Sequence, residues 1–145
     1  MAQSTGAQST GAQFSGGCLC RAVKYSVDVE PARTLVCHCT SCQRQTGSAF
    51  ATLMAFPAGS ITVTGTLKTY TEPGGMSGDP VHRRFCPDCG TPVIFQREGA
   101  AMTLIMAGTL DDTSGVRPTV NLFCASAQPW VLLPPDTQNL PGYFT

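Results

Sequence analysis

The chain has 145 residues, of which 8 are cysteines, and its 9 basic residues balance its 9 acidic residues. This length suits one domain, and a net charge of zero provides no basic surface for duplex DNA or RNA. The apolar runs are far shorter than the ~20 residues that cross a bilayer, so we expect neither a nucleic acid partner nor a membrane span.

The predicted elements are mostly strands. Residues 1–13 repeat one uncharged pentapeptide, and we expect them to form a flexible low-complexity tail before a domain that spans residues 14–145. Apolar residues alternate over 22–29 and predict a strand with Val23, Tyr25, Val27 and Val29 on one face. Further strands are predicted at 49–56, 60–64, 68–71, 81–85, 92–96, 102–107 and 120–124. A short helix is predicted over Thr40–Thr46, ended by Gly47, and the whole pattern favours a mainly β fold.

The spacing of the cysteines favours metal ligands over disulfides. Seven of the eight cysteines lie two or three residues from another, in the motifs at 18–20, 37–42 and 86–89, while Cys124 is alone. Clustered thiols converge on one ion, whereas disulfides in small scaffolds gain most by closing long loops. Reduced thiols and an N-terminus without the pattern of a secretory signal lead us to expect a cytoplasmic protein.

Four cysteines predict a structural zinc site. Cys86-Pro-Asp-Cys89-Gly90 is typical of a zinc knuckle, in which proline presets the turn and glycine accepts a positive φ. We place Cys18 and Cys20 at the start of a strand, where alternation sends both side chains to one face, with Cα atoms about 6.6 Å apart. Four thiolates form a closed tetrahedral zinc site.

The remaining cluster contains three cysteines, Cys37, Cys39 and Cys42. Three protein ligands with a vacant fourth position are typical of catalytic zinc, and the vacancy can accept water or a substrate thiolate. We also expect the helix N-terminus at Thr40 to lower the pKa of Cys42. The spacing leaves open a second structural site in which the fourth ligand is His38, His82 or Cys124.

Arginines are the charges nearest to the cysteine motifs, namely Arg21, Arg44, Arg83 and Arg84. They can balance thiolate charge or bind the carboxylate of a substrate, and we expect Arg44 first among them to contact substrate. Strand alternation is expected to point His38 away from the metal. Trp130 is expected to anchor the C-terminal segment in the core.

The motifs together resemble the glutathione-dependent formaldehyde-activating enzymes and their centromere protein V relatives. The resemblance rests on residues 16–20 (GGCLC), 37–47 (CHCTSCQRQTG) and 85–90 (FCPDCG). It implies the Mss4-like fold, with short antiparallel sheets and little helix. It also implies two zinc ions per chain. The structural ion would be held by Cys18, Cys20, Cys86 and Cys89, and the catalytic ion by Cys37, Cys39 and Cys42.

The activity that the resemblance implies is that of a carbon–sulfur lyase. The thiol partner is glutathione in the family, and the adduct is S-hydroxymethylglutathione or a related thioether or hemithioacetal.

Many relatives carry a histidine where this chain has Asn121, an amide that cannot act as an acid or base. Cys124 lies outside the family's ligand set, and we expect it to be buried in a strand. The alternative function is a non-enzymatic, zinc-stapled binding module. The sequence does not predict an oligomeric state.

Overall fold

Short strands dominate the fold, as the alternating sequence predicts. The structure is a computed structural model that describes residues 13–74 and 78–144, so residues 1–12 of the predicted tail lie outside the described residues. The strands are β1 (Phe14–Gly17), β2 (Lys24–Val27), β3 (Arg33–Cys37), β4 (Ala51–Pro57), β5 (Ile61–Thr64), β6 (Lys68–Glu72), β7 (Val81–Phe85), β8 (Pro92–Arg97), β9 (Met102–Met106), β10 (Val120–Leu122) and β11 (Gln138–Asn139). The helix α1 (Thr40–Thr46) has the predicted bounds, and single 3-10 turns occupy Ala107–Thr109 and Cys124–Ser126.

The strands form two sheets. The smaller has the order β1-β2-β5, and the larger has the order β11-β10-β3-β4-β9-β8-β7-β6. Neighbouring strands are antiparallel except for β10, which pairs in parallel with β3 and β11. The mainly β architecture with one short helix is therefore confirmed.

The larger sheet has two different faces because successive side chains of a strand point to opposite sides. One face packs against the smaller sheet, where Val23 and Tyr25 contact a core that includes Met54, Phe56 and Ile105. The opposite face carries a second apolar cluster, which contains Leu35, Leu53, Phe95 and Leu122 together with the cysteines Cys37, Cys39 and Cys42. The first face therefore stabilises the fold, and the second face positions three of the cysteines.

The structure contains three strands that alternation does not predict. In β3, Thr34, Leu35, Val36 and Cys37 are all buried, because a central strand that is covered on both faces shows no alternation. β1 contains two glycines, and β11 has only two residues. These three strands lack the periodic pattern on which sequence-based prediction depends.

Three placements from the sequence are wrong. Cys18 and Cys20 lie in a turn after β1 and not at the start of a strand, because the Arg21 N–H bonds the Cys18 carbonyl and Arg21 has a positive φ of 69°. Cys124 is half-buried in a 3-10 turn, because Phe123 turns the chain out of β10 with a φ of 56°. Trp130 is 69 % exposed and donates its indole N–H to Gln128, so it does not anchor the core.

The connection between β5 and β6 generates a test of the fold. Gly65 has a φ of +94°, and a Cβ there would lie 2.2 Å from the Ala22 carbonyl oxygen, whereas Gly59 has a φ of +89° with no atom within 4 Å. We predict that Gly65→Ala lowers the free energy of unfolding by about 3 kcal/mol. The matched control Gly59→Ala should lose about 1 kcal/mol, the cost of its backbone conformation. Urea unfolding measures both, and equal losses would contradict the close approach of Ala22.

Candidate metal centres

The four-cysteine cluster joins two turns that are distant in the sequence. Cys18 and Cys20 follow β1, while Cys86 and Cys89 lie in the turn between β7 and β8. All four Sγ atoms lie within 4.8 Å of one another; the Sγ of Cys20 is 3.7 Å from that of Cys18 and 3.8 Å from that of Cys86. Zn–S bonds of about 2.3 Å place tetrahedral sulfurs about 3.8 Å apart. The cluster therefore has the geometry to hold a tetrahedral ion.

Backbone and hydroxyl donors surround the sulfurs of this cluster. The N–H groups of Val23 and Asp88 donate to the sulfurs of Cys18 and Cys86 over 3.2 and 3.4 Å. Cys89 Sγ lies 3.2 Å from the Thr91 hydroxyl, and this hydrogen bond lowers the pKa of Cys89 to about 5. Gly90 has a φ of 79°, as the knuckle motif predicts. These donors favour thiolates, the form that binds a metal ion.

The three-cysteine cluster forms where β3 leads into α1. Cys37 ends β3, Cys39 caps α1, and Cys42 lies in the first helical turn. The three sulfurs lie within 4.8 Å of one another and all three residues are buried. The Cys42 N–H donates to Cys39 Sγ over 3.3 Å, so the sulfur supplies the cap that a helix N-terminus requires. The cluster can hold a metal ion with three protein ligands.

The side chains considered as a fourth ligand make other contacts. His38 Nε2 lies 3.0 Å from Asn121 Oδ1, which confirms that His38 points away from the cysteines. His82 contacts Thr71 and Glu98. The Cys124 thiol donates to the Asn121 carbonyl over 3.5 Å. Within residues 13–74 and 78–144, no His, Cys, Asp or Glu joins the three cysteines as a fourth member.

Hydrogen bonds among the three thiols make their pKa values unequal. Hydrogen bonds from Cys37 and Cys42 lower the pKa of Cys39 to about 2. Its hydrogen bond with Cys37 lowers the pKa of Cys42, but the hydrogen bond to Cys39 and burial raise it, to about 11. The expectation of a lowered pKa at Cys42 is therefore wrong. Cys39 accepts the helical N–H and is the favoured thiolate.

The three-cysteine cluster opens into a cavity of about 570 Å³ on the second face of the larger sheet. Leu35, Leu53, Phe95 and Leu104 form part of its apolar wall, and Phe123, Tyr143 and Phe144 cover it from the C-terminal part of the chain. Backbone hydrogen bonds from Phe123 to Gly142 and from Cys124 to Leu140 hold that cover in place. The cysteines of the four-cysteine cluster do not line this cavity.

A nearly buried ion pair lies beside the cysteines in the cavity. Arg83 Nε and Nη2 donate to Glu72 Oε1 over 2.9 and 2.8 Å, and Arg83 Nη1 donates to Gln45 over 2.8 Å. The Ser41 hydroxyl donates to Glu72 Oε2. Burial lowers the pKa of Arg83, but interactions with Cys42 and with the Glu72 carboxylate raise this pKa by more, so the guanidinium stays charged. A fixed cation therefore lies next to the thiols.

The structure places the predicted substrate contact, Arg44, outside this cavity. Arg44 is exposed and lines a second cavity of about 430 Å³. This cavity shares Ser41, Glu72 and Arg83 with the first one. Its contact with substrate stays a prediction. The sequence analysis did not identify Arg33 and Arg97, which line the cavity beside the three cysteines. Arg33 lies four residues before Cys37, a spacing that places both side chains on one face of a strand. That relation could be used only if β3 had been predicted as a strand.

Comparisons with known proteins agree with the cysteine motifs. The family model described as "Glutathione-dependent formaldehyde-activating enzyme" matches residues 13–126. The crystal structure of a Rhodobacter sphaeroides protein is similar in fold, with a TM-score of 0.55 and 23 % identity over 72 % of this chain and 91 % of that one. No curated protein matches the chain.

Within the described residues, no helix has the length and apolar character needed to traverse a bilayer.

Metal analysis tests the two clusters separately. We predict one zinc ion in each cluster, and therefore two per chain, in protein prepared under reducing conditions. Cys89→Ser should remove one ion and lower the free energy of unfolding by about 4 kcal/mol or more, because the cluster joins β1 to the β7–β8 turn. Cys42→Ser should also remove one ion but leave the β fold largely intact.

Inductively coupled plasma mass spectrometry and urea unfolding measure these outcomes. Cys124→Ser is the matched control, because Cys124 belongs to neither cluster, and it should retain both ions. Zinc loss without destabilisation in Cys89→Ser would show that the four-cysteine cluster has no structural role.

Proposed function

The chain belongs to the family of glutathione-dependent formaldehyde-activating enzymes, and we propose that it is a zinc-dependent carbon–sulfur lyase that reversibly joins a small-molecule thiol to a carbonyl carbon. The observation that carries the proposal is that the three-cysteine cluster opens into the cavity. Family membership supports a function of the formaldehyde-activating type with a thiol partner. The precise reaction is the part that we propose.

The proposed reaction balances without a change in oxidation state. In the direction of addition, the thiol sulfur bonds to the carbonyl carbon as the second bond of the C=O group opens. The thiol proton ends on the carbonyl oxygen, and the product is a hemithioacetal such as S-hydroxymethylglutathione. Elimination reverses each change and releases the thiol and the aldehyde.

We assign different roles to the two metal centres. Cys18, Cys20, Cys86 and Cys89 would hold a structural zinc ion, because four thiolates complete a tetrahedral site. Cys37, Cys39 and Cys42 would hold the catalytic ion. When bound there, zinc supplies a Lewis acid that favours the thiolate form of a thiol and polarises a carbonyl group.

The chain's own residues prepare the cavity for this chemistry. Arg83 stabilises negative charge on the cysteines, because Glu72 and Gln45 hold its guanidinium in place beside them. Ser41 and Glu72 line the cavity and are hydrogen-bonded to each other, so they can hold the proton that passes between sulfur and oxygen. The apolar wall lowers the polarity of the site, and a less polar surrounding strengthens electrostatic interactions.

Asn121 does not take part in this arrangement. Its side chain accepts a hydrogen bond from His38 and donates to Thr137 and Asn139 over 3.1 and 3.0 Å. It does not line the cavity. The proton must therefore be held by another group, and we assign that role to the pair of Ser41 and Glu72.

Cobalt substitution tests whether the three-cysteine cluster accepts a thiol. We predict that added glutathione changes the d–d and sulfur-to-metal bands of the cobalt-loaded chain, and that Cys42→Ser abolishes this change. Turnover of glutathione and formaldehyde by the zinc-loaded chain, followed by exchange NMR, should fall at least about 100-fold in the same variant. Cys124→Ser provides the control for both measurements.

An unchanged spectrum with two bound ions in the wild-type chain would contradict the proposed reaction. That result would favour the non-enzymatic binding module instead.

Substitution of Glu72 tests the proposed proton transfer. We predict that Glu72→Gln lowers kcat about 100-fold with a similar KM, because the amide still accepts hydrogen bonds from Arg83 but cannot take a proton. Glu72→Asp should recover part of the activity with a changed pH profile. Glu98→Gln, on an exposed carboxylate that contacts His82, is the control. Equal kcat values in Glu72→Gln and the wild type would exclude this role.

A further inference from the structure

The cavity has two chemically different ends. On β3, Arg33, Leu35 and Cys37 all face the cavity. Four steps of about 3.3 Å along the strand separate the Cα atoms of Arg33 and Cys37 by about 13 Å. Arg33 lies opposite Ala55, and Ala55 lies opposite Leu104, so these two apolar residues lie at the level of Arg33. The cysteines therefore occupy one end of the cavity, and Arg33 occupies the other.

The far end carries two arginines that rest on the C-terminal aromatic residues. The guanidinium carbons of Arg33 and Arg97 lie 4.6 Å from the Phe144 ring centre and 4.9 Å from the Tyr143 ring centre. Within the described residues, Arg33 forms no ion pair with an acidic side chain. Planar guanidinium groups held in this way suit a carboxylate, which accepts two hydrogen bonds.

A buried donor at this end also lacks a partner. Arg97 Nη1 donates to Asp79 over 2.8 Å, but the buried Arg97 Nε has no hydrogen-bond partner among the described residues. Buried donors are almost always paired in folded proteins, and an unpaired one requires an explanation. An oxygen atom of a bound ligand would satisfy this N–H group.

The region between the two ends is apolar. Its wall includes Leu35 and Leu53, which lie opposite each other between the levels of Arg33 and Cys37. The polar side chains Ser41 and Glu72 belong to the cysteine end, where they adjoin Arg83. A peptide-like body in this region would bury amide groups without partners, which is unfavourable. An alkyl or aryl body would instead gain from burial.

We infer that the substrate of this chain is an anionic thiol adduct with an apolar body, whose sulfur lies at the three-cysteine cluster and whose carboxylate lies between Arg33 and Arg97. This inference rests on the proposed function, since it assumes that the cysteine end receives the sulfur. An extended chain of about eight carbons spans the distance between the two ends. The inferred substrate therefore differs from glutathione, whose body is a hydrophilic peptide.

Calorimetric binding of ω-mercaptoalkanoic acids to the zinc-loaded full chain tests this inference. With acids of four, six, eight and eleven carbons, Kd should fall about threefold for each added methylene until the cavity is spanned. ω-Mercaptoalkanols of the same lengths should bind at least about tenfold more weakly, because they lack the carboxylate. Glutathione should bind more weakly than the eight-carbon acid.

Matched arginine variants test whether the carboxylate binds at Arg33 and Arg97 and not elsewhere on the surface. Arg97→Gln and Arg33→Gln should each raise the Kd of the eight-carbon acid about tenfold and leave that of the alcohol unchanged. Arg117→Gln, at an exposed arginine that donates to the nearby carbonyl groups of Ser114 and Val116, should change neither the Kd of the acid nor that of the alcohol. A flat dependence on length, equal Kd values for acid and alcohol, or tighter binding of glutathione would overturn the inference.

Binding of alkanoic acids that lack the thiol distinguishes failure of this inference from failure of the proposed function. If they show the dependence on length and on Arg97 while a terminal thiol adds no affinity, the proposed function fails and the carboxylate end is still supported. If the thiol adds affinity that Cys42→Ser removes, but neither chain length nor Arg97 matters, the proposed function stands and the inference fails.

Discussion

The convergence of thiols at strand ends is the constraint on which the rest of the structure depends. Sulfur atoms that are 66 residues apart in the sequence, on Cys20 and Cys86, lie 3.8 Å from each other. Such proximity is unfavourable for thiolates unless a cation or hydrogen-bond donors compensate their charge. The compensation at the four-cysteine cluster comes from backbone N–H groups in tight turns, so the turns and the cluster require each other. The cluster thereby fixes the edge of the smaller sheet against the β7–β8 turn of the larger one.

The two cysteine clusters lie in different surroundings, and this difference supports the different roles that we propose for them. Cys20 is exposed in a turn whose tip carries Leu19 at 83 % exposure, and the four sulfurs there complete a tetrahedron by themselves. Cys37, Cys39 and Cys42 are buried at the end of a cavity, and three sulfurs leave one position of a tetrahedron to another ligand. The number of cysteines and their access to the cavity are therefore the two features that distinguish the proposed structural site from the proposed catalytic one.

The parts of the fold that local chemistry determines could be predicted from the sequence, and the parts that tertiary packing determines could not. The end of helix α1 was predictable because Gly47 adopts the left-handed conformation that terminates a helix. The grouping of cysteines followed from their spacing. β3 was not predictable, since burial on both faces removes its alternation, and without β3 nothing relates Arg33 to the cysteine end. Phe144 reaches the cavity through pairing of the C-terminal segment with residues after β10, a contact that no local pattern encodes.

The net charge of zero describes the whole chain but not the cavity. Three arginines, Arg33, Arg83 and Arg97, line it together with one carboxylate, Glu72. Glu72 is already paired with Arg83, and the thiolates of a Cys₃ site add negative charge at the same end. Arg97 is paired with Asp79 over 2.8 Å. The positive charge without an acidic partner among the described residues is therefore that of Arg33, at the opposite end. A carboxylate on the substrate would be attracted to that end and repelled by the thiolates. The electrostatic field of the cavity therefore favours one orientation of a molecule that carries sulfur at one end and a carboxylate at the other.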